Sequence, residues 1–184
     1  MNFNKHYELK NKHAFLSASN YHWLNYDEEK LRSVWEKMKA KELGTRLHAL
    51  AAEHIELGIK LPRNHQTLNM YVNDAIGFGM TPEQPLYYSD NCFGTADAIL
   101  FKSNKLRIHD LKTGSSPVSF NQLYIYTALF CLEYAVEPKE LDDVELRIYQ
   151  NDDVLLDTPT PEDIDDIMAL IKRYDYIIEE CKAR

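Results

Sequence analysis

Residues Gly94 to Tyr126 read GTADAILFKSNKLRIHDLKTGSSPVSFNQLYIY, and this stretch decides the fold. The apolar runs Phe93–Phe101 and Lys105–Leu111, separated by Ser103-Asn104, predict an antiparallel hairpin. Phe120–Tyr134 then predicts a helix. Asp97, Asp110 and Lys112 therefore fall on adjacent strands just ahead of a helix. Side chains two apart on a strand share a face, so Asp110 and Lys112 converge while Leu111 turns the other way and can pack into the core. The chain has five acidic-x-Lys triplets, Glu8/Lys10, Glu28/Lys30, Asp110/Lys112, Glu137/Lys139 and Glu180/Lys182. Only Asp110/Lys112 ends an apolar strand, and only it follows a second strand that carries a carboxylate.

Upstream, Ser17, Ser19 and Asn20 predict caps for a short helix through Trp23 and Leu24. Leu31, Val34, Trp35 and Met38 repeat at helical spacing, the pattern pauses at Gly44-Thr45, and it resumes with Leu47, Leu50, Ala51, His54 and Ile55 until Gly58 and Pro62. Another helix is expected over 66–77, and Pro82 and Pro85 frame the approach to a first strand at Gln84–Tyr88. Downstream, Asp143–Tyr149 and Val154–Leu156 predict a last strand pair. Thr160 caps a helix starting at Pro161, in which Ile164, Ile167, Met168, Ile171, Tyr174 and Ile178 form one apolar stripe.

The expected fold class is α/β, a mixed sheet flanked by helices, in a single domain over 1–184. Its parts are a helical region 14–80, a strand cluster and core 84–134, and a final strand pair with a C-terminal helix 143–183. No apolar run is long enough to cross a bilayer and the polar start lacks a secretory signal, which predicts a cytoplasmic protein with no membrane partner. Cys92, Cys131 and Cys181 are too few for a four-cysteine iron–sulfur cluster and read as reduced thiols.

The net charge of −8 opposes nucleic-acid binding, but it is unevenly spread. Glu137–Arg184 holds fifteen acidic and six basic residues, whereas Met1–Val136 holds fourteen acidic, fifteen basic and all seven histidines. A locally basic face remains compatible with that distribution. Lys37, Lys39, Lys41, Arg46, Lys60 and Arg63 enrich the segment before the strands and can contact phosphates, although solvated helix faces also carry such charges.

If Asp97 projects toward Asp110, the two carboxylates make an oxygen-rich site for Mg²⁺ or Mn²⁺, with the Leu111 carbonyl as a further ligand. Lys112 would then orient a nucleophile or neutralise charge on a phosphoryl oxygen. The same triplet is equally an ion pair at a strand end. His48, beside Ala51, Ala52 and Ile55 at helical spacing, is equally a buried histidine, and Tyr126 a core aromatic. His54, His65 and His109 lack paired ligand spacing and read as structural or surface residues. Glu53 lies about 140° around the helix from His48 and is a weak candidate.

Four motifs occur in order: Gly44-Thr45-Arg46-Leu47-His48, Gly94-Thr95-Ala96-Asp97, Asp110-Leu111-Lys112 and Gln122-x-x-x-Tyr126. Together they resemble the RecB-like branch of the PD-(D/E)XK nuclease superfamily. Leu16-Ser17-Ala18-Ser19 and Trp23-Leu24-Asn25 resemble its phage-encoded, single-domain exonuclease members. The likeness runs from about Leu16 to Tyr126. It implies a restriction-endonuclease-like core and Mg²⁺- or Mn²⁺-dependent cleavage of DNA, as exonuclease or endonuclease, in phage or recombination and repair processing within the host cytoplasm.

Residue by residue, the resemblance makes His48 a metal ligand or a group near the scissile phosphate, and Asp97 and Asp110 the metal carboxylates. Lys112 becomes the catalytic lysine, and Gln122 and Tyr126 serve DNA contact and active-site support. The cysteine that often follows the Trp-Leu-Asn segment in the family is Tyr26 here. A homo-oligomer around DNA or a recombination-protein partner would suit so small a subunit. The contrasting expectation is a non-catalytic DNA- or protein-binding subunit that keeps the fold. A hydrolase of small phosphorylated substrates gains no support, since no glycine-rich phosphate loop is present.

Overall fold

The computed structural model describes residues 4–183. The chain divides into two compact units, Met1–Leu43 and Gly44–Arg184. In the first, short 3₁₀ turns at Tyr7–Leu9 and Tyr21–Asn25 precede α1 (Glu28–Leu57). Phe15 meets Trp35 edge-on with ring centroids 5.1 Å apart. The expected side-chain cap on the Tyr21–Asn25 turn does not form at Asn20. Ser17 organises that turn instead, its hydroxyl accepting from the Asn20 amide at 3.3 Å and its carbonyl from the Trp23 indole at 2.9 Å.

The second unit is built on a five-stranded sheet in the order β1 (Thr81–Ser89), β2 (Cys92–Lys102), β3 (Lys105–Leu111), β4 (Asp143–Gln150) and β5 (Asp153–Asp157). β1–β2, β2–β3 and β4–β5 pair antiparallel, whereas β3 and β4 run parallel. The parallel pair requires a crossover, which α3 (Asn121–Tyr134) supplies. Two of the three two-residue hairpins turn through residues of positive φ, Ser103-Asn104 at 50° and 55° and Asn151-Asp152 at 52° and 59°. Those values match the turn whose twist suits paired strands. β1 starts at Thr81, ahead of the expected Gln84, so Pro82 as well as Pro85 lies inside it, which an edge strand tolerates because its outer amides need no partner.

Helices cover both faces. On one, Leu123 and Leu129 of α3 and Ile164 of α4 (Pro161–Lys182) pack with Leu106, Ile108, Leu146 and Ile148. On the other, Tyr71, Val72 and Ala75 of α2 (Thr67–Phe78) join Ala51 and Ile55 of α1 against Ala98, Leu111 and Tyr149. Each fully buried aliphatic side chain contributes about 1.5–3 kcal/mol. Among the described residues no helix is long and apolar enough to cross a membrane.

Two local expectations change. The pause at Gly44-Thr45 is not a break, since α1 runs unbroken through it. A glycine inside a helix costs only about 1 kcal/mol relative to alanine. Gly44 is buried where an added Cβ would lie 2.7 Å from Thr113 Oγ1, so its bareness permits the close approach of α1 to the end of β3. The stripe on α4 is covered only in its first half: Ile164 and Met168 are buried, but Tyr174 and Ile178 remain 55% and 41% exposed. Beyond Ile171 the helix is held by polar contacts, Asp175 accepting from Ser89 at 2.6 Å and from Asn91 at 2.8 Å. At its start Thr160 and Asp163 form the capping box that the sequence predicts in part.

Candidate active site

The sheet register lines up three acids. Pro82 pairs with Ala98 and Gln84 with Ala96, which puts Glu83 level with Asp97. Ala98 pairs with His109, so one step further along Asp97 is level with Asp110. Glu83, Asp97 and Asp110 thus occupy one rung across β1, β2 and β3. Like charges directly opposite each other destabilise a sheet unless something neutralises them.

α1 brings His48 to this rung. Its Nδ1 lies 3.4 Å from Asp97 Oδ2, and the same oxygen accepts from the Leu111 amide at 2.9 Å. Ligand atoms of His48, Glu83 and Asp97 all lie within 4.8 Å of one another. Asp110 stands outside that group. It is 2% exposed and paired with Lys112, whose Nζ donates to Oδ1 at 3.0 Å. Nζ is also 2.9 Å from Oδ2, but that contact is not a hydrogen bond, and buried Oδ2 has none.

Lys112 Nζ also donates to Gln122 Oε1 at 2.8 Å, and Gln122 Nε2 donates to the Tyr126 hydroxyl at 3.0 Å. Residues four apart on α3 share a face, so one helix turn carries a relay from the ammonium to the phenol. The two readings of Tyr126 merge here. It is half-buried, packs on the apolar cluster and closes the relay. Gly94 makes room for its ring, because a Cβ there would come within 2.9 Å of Tyr126 Cε1.

The electrostatics follow from crowding. The Asp97 hydrogen bond, reinforced by the charges of Asp97, Asp110 and Glu83, raises the His48 pKa although burial opposes it. Burial raises Asp110, with a further push from Asp97 that Lys112 partly offsets. Glu83 is raised by burial and by Asp97. For both acids burial is the larger cause and the neighbouring Asp97 charge adds to it.

Of the residues expected to hold a metal, His48 and Asp97 lie together with Glu83, Asp110 is paired with Lys112, and Leu111 donates its N–H to Asp97. Sequence reasoning missed Glu83, because its partner is set by strand register. One local signal exists in the structure: Glu83 has φ +48°, uncommon for a residue other than glycine and frequent at functional sites. His109 is buried on the opposite face from Asp110, with Nδ1 3.3 Å from the Tyr149 hydroxyl, and His54 donates to the Ile59 carbonyl at 3.0 Å; both are structural. Glu53 is exposed and takes no part in the three-residue group. No family model, no curated protein and no solved structure matches the chain, so the chemistry of this site follows from its own geometry.

Proposed function

We propose that the chain hydrolyses phosphodiester bonds of DNA with a divalent cation, as a nuclease of the RecB-like PD-(D/E)XK type. The observation that carries this reading is the rung of Glu83, Asp97 and Asp110 beside one lysine, an acid surplus held in place by strand register. The two carboxylates suit Mg²⁺ or Mn²⁺, the imidazole favours Mn²⁺ over the harder Mg²⁺, and the buried Asp110 Oδ2 has acceptor capacity unused by any hydrogen bond. His48, Glu83 and Asp97 would hold the ion, which would compete with the proton that the surrounding acids otherwise favour on His48. The chemistry supplied there by a bound cation is Lewis-acid polarisation of a phosphoryl oxygen and acidification of water.

The protein's own groups do the rest. Leu111 N–H and His48 fix the Asp97 carboxylate on one oxygen. Asp110 and Gln122 hold the Lys112 ammonium from two sides, so it is preorganised to meet charge developing on the phosphoryl oxygens. In the net reaction a water oxygen bonds to phosphorus, the ester P–O bond breaks, and the leaving oxygen takes up a proton.

The test is incubation of labelled linear and circular DNA with wild type, Asp97→Asn and Lys112→Ala, in Mg²⁺, Mn²⁺ or EDTA. Wild type should cleave only with the cation, and each variant should be slower by about 10³-fold with an unchanged circular dichroism spectrum. Equal cleavage by wild type and Asp97→Asn overturns the assignment. A wild type that binds DNA yet cleaves none identifies a binding subunit instead.

A further inference from the structure

The connection between α1 and α2, residues 58–66, reads GIKLPRNHQ and contains no acidic residue in a chain of net charge −8. Lys60, Arg63 and His65 on it are exposed and line a cleft of about 510 Å³ along the flank of α2. Asp74 also lines the cleft, but it is engaged by Arg147 at 3.3 Å and by the Tyr149 hydroxyl at 2.8 Å. None of Lys60, Arg63 or His65 has an ion pair among the described residues.

This loop is held rigid. Gly58 ends α1 at φ +66°, with the Ile59 amide donating to the His54 carbonyl at 2.9 Å. Asn73 of α2 clamps Leu61 from both sides, accepting from its amide at 2.9 Å and donating to its carbonyl at 3.0 Å. Buried Asn69 Nδ2 donates to the Pro62 carbonyl at 3.1 Å and to Asn64 Oδ1 at 2.9 Å. Two α2 asparagines thus spend their hydrogen bonds on fixing a loop whose charged side chains are only cationic. An ordinary solvated helix face does not require such fixing, whereas a preorganised anion site gains affinity from it.

We infer that this cleft binds backbone phosphates of the nucleic-acid strand away from the scissile bond. The inference rests on the nuclease reading above. The ligand chemistry is the phosphodiester backbone without base recognition, since the charged groups are a lysine and an arginine with no built base pocket beside them. α2 links the two places: Thr67 and Leu68 at its start line a smaller cavity together with Lys112 and Thr113, while Asn73 and Gly77 line the cationic cleft. A helix rises about 1.5 Å per residue, so the two lie within a few nucleotides of each other along α2.

The experiment measures anisotropy of a fluorescein-labelled DNA duplex in EDTA against NaCl concentration, for wild type and Lys60→Gln/Arg63→Gln. Loss of two phosphate contacts should weaken binding by about tenfold or more at low salt and flatten the slope of log K against log salt by about 1.8. With Mg²⁺, KM for long DNA should rise while kcat, and hydrolysis of bis(p-nitrophenyl) phosphate, stay unchanged. The thermal midpoint serves as the folding control, and Lys60→Arg should keep wild-type binding. An unchanged slope in the double variant overturns the cleft while leaving the nuclease reading intact if wild type still cleaves. Binding without cleavage, with the slope lowered as expected, overturns the nuclease reading and keeps the cleft. A wild type that neither binds nor cleaves DNA overturns both.

Discussion

Arg107 and Asp110 stand three residues apart on β3 and belong to charge clusters of opposite character. Around Arg107 the charges close on themselves. Glu145 accepts from Arg107 at 3.2 Å and Arg147 at 2.9 Å, and Asp74 takes a second bond from Arg147. The two guanidinium carbons sit 4.7 and 5.0 Å from the Phe78 ring. His109 beneath them is pushed down to about 3 by burial and by the two arginines, so it stays neutral. Two cations against two carboxylates leave no net charge. Around Asp110, three carboxylates face Lys112 and a histidine that is cationic only when protonated. The first cluster balances itself; the second carries a surplus of acid, which on the proposed reading would receive a cation from outside.

The largest effect that tests this contrast is on metal-dependent stability. At about a hundredfold excess over Kd, Mn²⁺ should stabilise wild type by about 2.7 kcal/mol. That is a thermal midpoint rise of about 5–10 °C for a chain of this size. Glu83→Gln/Asp97→Asn should lose the rise and, in EDTA, melt at or above wild type, because a like-charge pair has been removed. An equal Mn²⁺ response in the double variant would place the cation elsewhere.

Next comes the balanced cluster. Glu145→Ala leaves both arginines short of a carboxylate at a site 22% exposed, between the buried and surface cases. The cost should be about 2 kcal/mol. Differential scanning calorimetry should show that loss while DNA cleavage per folded molecule is unchanged; a cleavage defect with full stability would erase the distinction between the clusters.

The smallest effect concerns how His48 is delivered. Gly44→Ala forces a methyl toward Thr113 Oγ1, one helix turn before His48, and overpacking outweighs the helix-propensity gain by about 1 kcal/mol. The midpoint should fall by about 3 °C. Thr113→Ala in the same chain should restore it, since the next nearest atom, Thr113 Cβ, would be 3.9 Å away. If Gly44→Ala alone raises the midpoint, the close approach is not what the glycine serves.

The helices and strands and the Ser103-Asn104 turn could be read locally. Gly58, Thr160 with Pro161, and the alternation in 105–111 each act within a few residues, and the structure places elements where those signals put them. Gly44-Thr45 misled because glycine's local signature is the same whether it breaks a helix or lets another element close in. The stripe on α4 misled because periodicity states which residues share a face, not whether anything covers it.

Sequence by itself determined that Asp110 and Lys112 share a face and that Gln122 and Tyr126 share another, because strand and helix periods fix side-chain direction within one element. Only the tertiary structure decided that Glu83 completes a rung with Asp97 and that His48 reaches it. Those meetings depend on register and on the approach of α1. Both are set by packing between residues far apart in the chain, with no trace in the local sequence that distinguishes Glu83 from other acids.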